Sequence, residues 1–248
     1  MTLLRALLIT MLMLLPLRAA GEEVVAGLSQ ARVDITADFS GAEILIFGAV
    51  KRFAPAPTDE RLGVIITVAG PPQTVTVRRK DQVAGIWVNA ESRSIAEVPS
   101  FYAITSNGPL DTLLSPGADA RYRISVPQFI PAGTDTTFGD ALLRIRRDSG
   151  DYRVEPRGVR LDEDTLFRAA VALPANLTEG LYSTRIFLTR GGEVIDSHET
   201  MINVSMVGIE RLTFNLAMQR PVIYGILCVV LAVVAGWGAS AVFRMIRG

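Results

Sequence analysis

Cysteine and histidine are almost missing from this chain: Cys228 and His198 are the only ones among 248 residues. Cys228 lies inside a long apolar run, so the region before it is built without an intramolecular disulfide and must be stable through its core. That pair leaves no ligand set for zinc. A Ser-His-Asp hydrolase would need His198, which sits in Asp196-Ser197-His198-Glu199 on an expected strand, in phase with Thr200, Ile202, Val204 and Met206. No Gly-x-Ser-x-Gly elbow accompanies it, and neither a phosphate-binding glycine loop nor a dinucleotide fingerprint is present. Charge of neither sign is in excess, with 25 basic residues against 25 acidic, so the basic footprint of a nucleic-acid binder is absent. Asp162-Glu163-Asp164 lacks the glycine-centred loop of a calcium site and reads as a solvated turn. The expectation is therefore no catalytic, cofactor-binding or metal residue. Paired carboxylates for glycoside chemistry stay open, because their spacing in space is invisible in a sequence.

Charge is also missing, along with histidine, from Pro221 to Phe243, which Arg220 precedes and Arg244 and Arg247 follow. At about 1.5 Å per residue this run reaches roughly 34 Å, enough to cross a hydrocarbon core. Its valines, leucines and isoleucines leave no polar stripe, as expected of a membrane helix and not of a soluble one. Tyr224 near one end and Trp237 with Phe243 near the other suit the two interfaces. Within the run Ala232, Gly236 and Ser240 recur every four residues, beside Ala235 and Ala239, forming a candidate face for close packing of another helix. At the other end, Arg5, the apolar run Ala6 to Leu15, Pro16 and the small residues Ala19 to Gly21 read as a secretory signal peptide over residues 1–20, with an uncleaved anchor as the alternative. The expected topology is a region of residues 21–208 exported to a bacterial periplasm, a juxtamembrane helix or linker over 209–220, an inner-membrane span over 221–243 and a cytoplasmic tail over 244–248.

The exported region carries strand patterns. Ala31 to Phe39 alternates Val33, Ile35 and Ala37 with polar residues, and Glu43 to Val50 places apolar residues on both sides, as in a strand covered on both faces. Gly48 in it marks a bulge or a close approach. Beyond a loop with Pro55, Pro57, Asp59 and Glu60 come Gly63 to Ala69, Gln73 to Arg79 and Val83 to Asn89, with turns expected at Gly70-Pro71-Pro72 and Lys80-Asp81. Ser115-Pro116-Gly117 suggests entry into a short helix. The period then changes: Phe138, Ala141, Leu142 and Ile145 mark an amphipathic helix that Gly150 ends, with the basic residues Arg144, Arg146 and Arg147 late in it. That cluster reads as a solvated face, with anion binding as the sharper alternative. Strands return at Thr165 to Leu173, with Phe167, Ala169, Val171 and Leu173 inward, and at Leu181 to Arg190, with Tyr182, Thr184, Ile186 and Leu188 inward. Gly191-Gly192 forms a hairpin turn into Val194 to Met206. Pro174 to Gly180 before Tyr182 is similar to the corner in immunoglobulin-like domains where a tyrosine hydroxyl returns to the loop backbone. The expected fold is mainly β, an immunoglobulin-like sandwich with a helical insertion at about 110–150, followed by one C-terminal transmembrane helix. Two small β-subdomains are the alternative. The triplet Asn176-Leu177-Thr178 reads as an unused glycosylation sequon, and Ile209, Leu212 and Leu216 as the apolar stripe of a surface helix.

Several short stretches together carry a resemblance: Phe138 to Leu142 with Arg144, Thr165-Leu166-Phe167-Arg168, Leu173-Pro174-Ala175-Asn176, Gly180-Leu181-Tyr182, Phe187-Leu188, Tyr224-Gly225 after Pro221, Ala235-Gly236-Trp237 and Val242-Phe243-Arg244. In these the chain resembles a family of uncharacterised alphaproteobacterial single-pass transmembrane proteins. The resemblance implies an envelope location and, more loosely, association with permeases similar to sulfite exporters. It supplies no catalytic residue. The functional expectation is a membrane-tethered periplasmic binding or accessory module for a multi-pass partner. A solute-binding domain and a carboxylate-dependent enzyme are the alternatives.

Overall fold

The computed structural model describes residues 21–36, 38–53, 60–83 and 85–247. The expected signal peptide, Ala37 and the loop prolines Pro55 and Pro57 with Asp59 lie outside them.

Alternation organises the sheet closest in sequence to the expectation. In β10 (Leu166–Leu173) burial alternates along the whole strand, with Phe167, Ala169, Val171 and Leu173 inside. It pairs antiparallel with β3 (Ala42–Arg52), which pairs on its other side with β1 (Glu22–Leu28), while β9 (Val159–Asp162) completes a four-stranded sheet in the order β1-β3-β10-β9. A six-stranded sheet faces it. Its order is β2 (Arg32–Ile35), β12 (Glu193–Met206), β11 (Gly180–Arg190), β4 (Gly63–Ala69), β7 (Tyr102–Ser106) and β8 (Tyr152–Pro156). The pairs β2–β12 and β7–β8 are parallel, so each is formed by segments far apart in sequence.

The two sheets share one core, in which Ile44, Ile46 and Phe167 from one meet Val64, Ile66, Tyr182, Ile186, Leu188 and Ile202 from the other. The opposite face of the six-stranded sheet is covered too. Ile65, Tyr102, Ile104 and Phe187 project there into a second core with α1 (Leu110–Leu113), α2 (Pro116–Tyr122), a 3-10 turn at Val126–Phe129 and α3 (Thr136–Asp148) packed around it. This double cover explains why nearly the whole of β4 is buried, Thr67 included. The expected helix entry at Ser115-Pro116-Gly117 is present, and Ser115 caps α2 by accepting from the Ala118 amide. Tyr182 donates its hydroxyl to the Thr178 carbonyl at 3.0 Å, the expected return to the loop before its strand. Gly191 and Gly192, at φ 58° and 85°, make the turn between β11 and β12.

Four expectations need correction. The strand at Ala31 ends at Ile35, because the chain turns there: the Phe39 amide donates to the Thr36 carbonyl. Strand β3 is covered on one face only, so Leu45 and Phe47 are exposed. No turn forms at Lys80-Asp81. A bulge between Arg79 and Lys80 absorbs the irregularity, and β5 (Pro72–Val83) runs on to pair with β6 (Ile86–Pro99) as one long hairpin whose turn holds Gly85 at φ 80°. Finally, α3 buries Phe138, Gly139, Leu142 and Leu143 and leaves Ile145 exposed. Gly139 is part of that buried side and leaves room for Ile130, whose Cγ2 would lie 3.1 Å from a Cβ there.

After β12, α4 (Ile209–Gln219) leads through Arg220 into α5 (Pro221–Arg247). Ile209 and Leu212 lie outside the described side chains; Leu216 is half-buried.

Candidate docking surfaces

Three surfaces present chemistry that the cores do not consume. The first is the outer face of the four-stranded sheet. Because side chains alternate, the residues that point away from the core on β1, β3 and β10 stand in register: Val25 opposite Ala49, Ala49 opposite Leu166, and Phe47 between Gly27 and Arg168. Phe47 is 47% exposed and its neighbours Val25, Leu45 and Leu166 are exposed as well, forming an apolar patch with a shallow groove of about 560 Å³. Glycine at 27 leaves room for the Phe47 ring, since a Cβ there would fall 3.2 Å from it. Arg168 and Asp162 border the groove.

The second surface is a cleft of about 620 Å³ between β5 and α3. Arg78, Arg79 and Lys80 line one wall, and Thr137, Asp140, Arg144 and Ile145 the other. Asp135 caps α3 by accepting from the Thr137 amide at 2.8 Å, and that bond holds its carboxyl below the usual carboxylate range. The basic residues late in α3 do not act together. Arg144 faces the cleft, Arg146 pairs with Asp151 at 2.8 Å, and Arg147 is exposed. Asp151 also accepts from Ser149 and from Asn176, so the Asn176-Leu177-Thr178 loop is tied to the end of α3.

The third is α5. Its apolar side chains from Val222 to Trp237 are exposed, and among the described residues it is the one helix long and apolar enough to cross a membrane. Ala232, Gly236 and Ser240 lie one turn apart along one side of it, and no atom outside the helix comes within 4 Å of a Cβ placed at Gly236.

One charged cluster is internal. Glu22 at the start of β1 accepts from Arg52 Nε at 2.6 Å and from Arg190 Nη2 at 2.8 Å, all three side chains being largely buried. Arg52 Nη1 also reaches Thr165 at 3.1 Å, and Arg190 donates to the Glu60 carbonyl. Burial opposes ionisation of Glu22, yet the hydrogen bonds and charges of the two arginines outweigh it and hold the carboxyl below its ordinary value. Every donor faces a partner within the cluster or its flanking loops, so its role is to lock β1 and β3 to the end of β11. Sequence reading missed it, since the partners are 30 and 168 residues apart.

The residues considered for chemistry are dispersed. His198 is half-buried opposite Ile186. Glu163 and Asp164 adopt left-handed backbone in the β9–β10 turn, and Asp162 pairs with Arg160 at 3.0 Å. Among the described residues no three His, Cys, Asp or Glu side chains converge as metal ligands.

Residues 23–245 match the family described as "Putative transmembrane protein (Alph_Pro_TM)". The chain belongs to that family. The match spans both the β region and α5, so the membrane helix is part of what defines the family here. No curated protein matches the chain by sequence. Among solved structures, the sporulation control protein Spo0M from Bacillus subtilis is similar at 10% identity and a TM-score of 0.31, over 80% of this chain and 55% of that one. A likeness that slight bears on neither fold nor function.

Proposed function

We propose that this member of the family is a membrane-tethered interaction module, its β region exported to the periplasm and held beside the bilayer by α5, where it serves as an accessory subunit of a multi-pass permease similar to sulfite exporters. The observation that carries this reading is the exposed Phe47 patch on a domain attached to a membrane helix. A bare apolar sheet face, rimmed by Arg168 and Asp162, is what a protein interface looks like when its partner is absent. The small-residue side of α5 offers a second contact within the bilayer, where close backbone approach supplies the packing that apolar solvent cannot.

The test is purification of the full-length protein from its native membrane in gentle detergent, with mass spectrometry of what accompanies it. A stoichiometric multi-pass permease that is lost on Gly236→Leu or Phe47→Asp is the expected result. Recovery of the protein alone sinks the accessory-subunit reading.

A second reading, a solute-binding domain, is favoured by the basic cleft of about 620 Å³, which Arg78 and Lys80 line on one wall and Arg144 on the other. A panel of small anions and organosulfur compounds separates the two. A ligand at 100 times its dissociation constant stabilises by about 2.7 kcal/mol and raises the melting temperature, whereas an interaction module is unmoved.

A further inference from the structure

Beyond Val77 on β5 and before Ile95 on β6, every described residue of the long hairpin is exposed. A two-stranded ribbon with no covered face is marginally stable in water, so the outer part of this hairpin needs a surface to lie against. Its tip is apolar. Val83 and Ile86 form the last pair, Trp87 is 66% exposed, and Val88 follows it. Behind the tip stand Arg78, Arg79, Lys80 and Arg93 against only Asp81 and Glu91. Arg79 pairs with Glu91 at 3.3 Å and the Arg93 guanidinium lies over the Phe138 ring of α3, which leaves the cationic charge nearest the tip to Lys80, with Arg78 behind it. A tryptophan-bearing apolar tip with a cationic collar has the chemistry of a membrane interface, where the indole settles at headgroup depth and the cations meet lipid phosphates.

Strand register places the root of this hairpin at the end of the sheet from which the anchor departs. Ala69, the end of β4, pairs with Ser183, and Ser183 pairs on its other side with Met201. Further along the same direction Gly180 pairs with Val204, and Pro71 lies against Gly180, where a Cβ would fall 3.0 Å from Pro71 Cγ. The hairpin therefore leaves the six-stranded sheet at the edge through which β12 runs on into α4 and the membrane helix. From Pro72 to Val83 an extended strand reaches roughly 36 Å.

We propose that the hairpin tip, Val83 with Ile86, Trp87 and Val88, seats in the headgroup boundary of the same bilayer that α5 crosses, giving the β domain a second membrane contact that fixes its orientation. This rests on α5 spanning the bilayer and on no protein partner. Outer-edge docking by a protein is the competing outcome.

The test uses purified full-length protein carrying Trp237→Phe, so that Trp87 is the only tryptophan, reconstituted alone into vesicles of phosphatidylethanolamine and phosphatidylglycerol that include a lipid with a nitroxide near the glycerol end of its chain. Trp87 emission is expected to shift to the blue and to lose most of its intensity to the lipid nitroxide. Val83→Asp with Ile86→Asp, both at exposed positions, should abolish that quenching while leaving the circular dichroism spectrum unchanged. A control chain with Trp87→Phe and Ile195→Trp, near the β11–β12 turn at the opposite edge of the sheet, should stay unquenched. Two results overturn the proposal. In one, Trp87 remains accessible to iodide in water and blind to the lipid nitroxide, which leaves the tip for a protein occupant. In the other, the Ile195→Trp reporter is quenched as strongly, which means the whole domain lies on the bilayer without a role for the hairpin.

Discussion

Gly48 shows how much can hang on one missing methyl. A Cβ at this position would lie 2.4 Å from Phe167 Cζ and 2.5 Å from the Val25 carbonyl, inside the core between the sheets. Gly48→Ala must push the Phe167 ring or the β1 backbone aside, and overpacking of this kind costs about 1–3 kcal/mol. Urea unfolding of the variant should show that loss as a lowered midpoint. Glu22 is a second position of this sort. Glu22→Gln leaves Arg52 and Arg190 buried without their carboxylate, and a cost of about 3 kcal/mol is expected from breaking a buried pair on one side. The sign with pH follows from its lowered pKa. The cluster's contribution is complete above the unfolded glutamate value of about 4.3 and disappears as pH falls through the still lower folded value. Melting temperature measured from pH 6 downward should therefore fall more steeply for the native protein than for Glu22→Gln. Burial also pushes the Tyr102 phenol up to about 12, consistent with a hydroxyl that stays protonated while donating to the Ile124 carbonyl at 2.7 Å.

At the scale of elements, α3 makes the clearest contrast between pattern and packing. Periodicity placed Ile145 with Phe138 and Leu142, whereas the buried side runs through Gly139, so that Leu143 is inside and Ile145 lines the cleft. Leu142→Ala should cost about 2–5 kcal/mol as a buried cavity. Ile145→Asp, by comparison, should stay within about 0.5 kcal/mol because the side chain is already exposed. Denaturant melts of the two variants side by side check the rotation. The β5–β6 hairpin teaches the complementary lesson. Lys80-Asp81 has the composition of a turn, but a bulge lets both strands continue for several more residues, and that extension is what carries the exposed Trp87.

For the molecule as a whole, the decisive feature is that a two-sheet domain and an apolar helix occur on one chain. Alkaline carbonate extraction should leave the full-length protein in the membrane pellet. A chain ending before Ile209 should leave that fraction, because the hairpin tip alone buries far less apolar surface than a spanning helix. If the truncated chain resists extraction as firmly as the full one, α5 is not the main anchor. Much of this was legible from the residues. The membrane helix, the inward faces of β10 and β11, the Gly191-Gly192 turn, the helix entry at Ser115 and the Tyr182 hydroxyl bond all rest on local periodicity or local turn chemistry. The docking surfaces were not legible. Leu45 and Phe47 look the same in sequence whether their face is covered or bare, and β1 carries no alternation strong enough to announce itself beside them.

The sequence by itself determined what contiguous residues can encode: a mainly β domain, a helical stretch between strands, and a helix apolar enough for the bilayer. Tertiary structure alone decided what distant residues do to one another. Parallel pairing of β2 with β12 and of β7 with β8, the Glu22–Arg52–Arg190 lock, and the departure of the hairpin and the anchor from one sheet edge all depend on register between strands far apart along the chain. The physical reason is the reach of each signal. Hydrophobic period and turn residues act over a few positions, whereas which faces are buried is settled only when the sheets and helices compete for the same apolar surface.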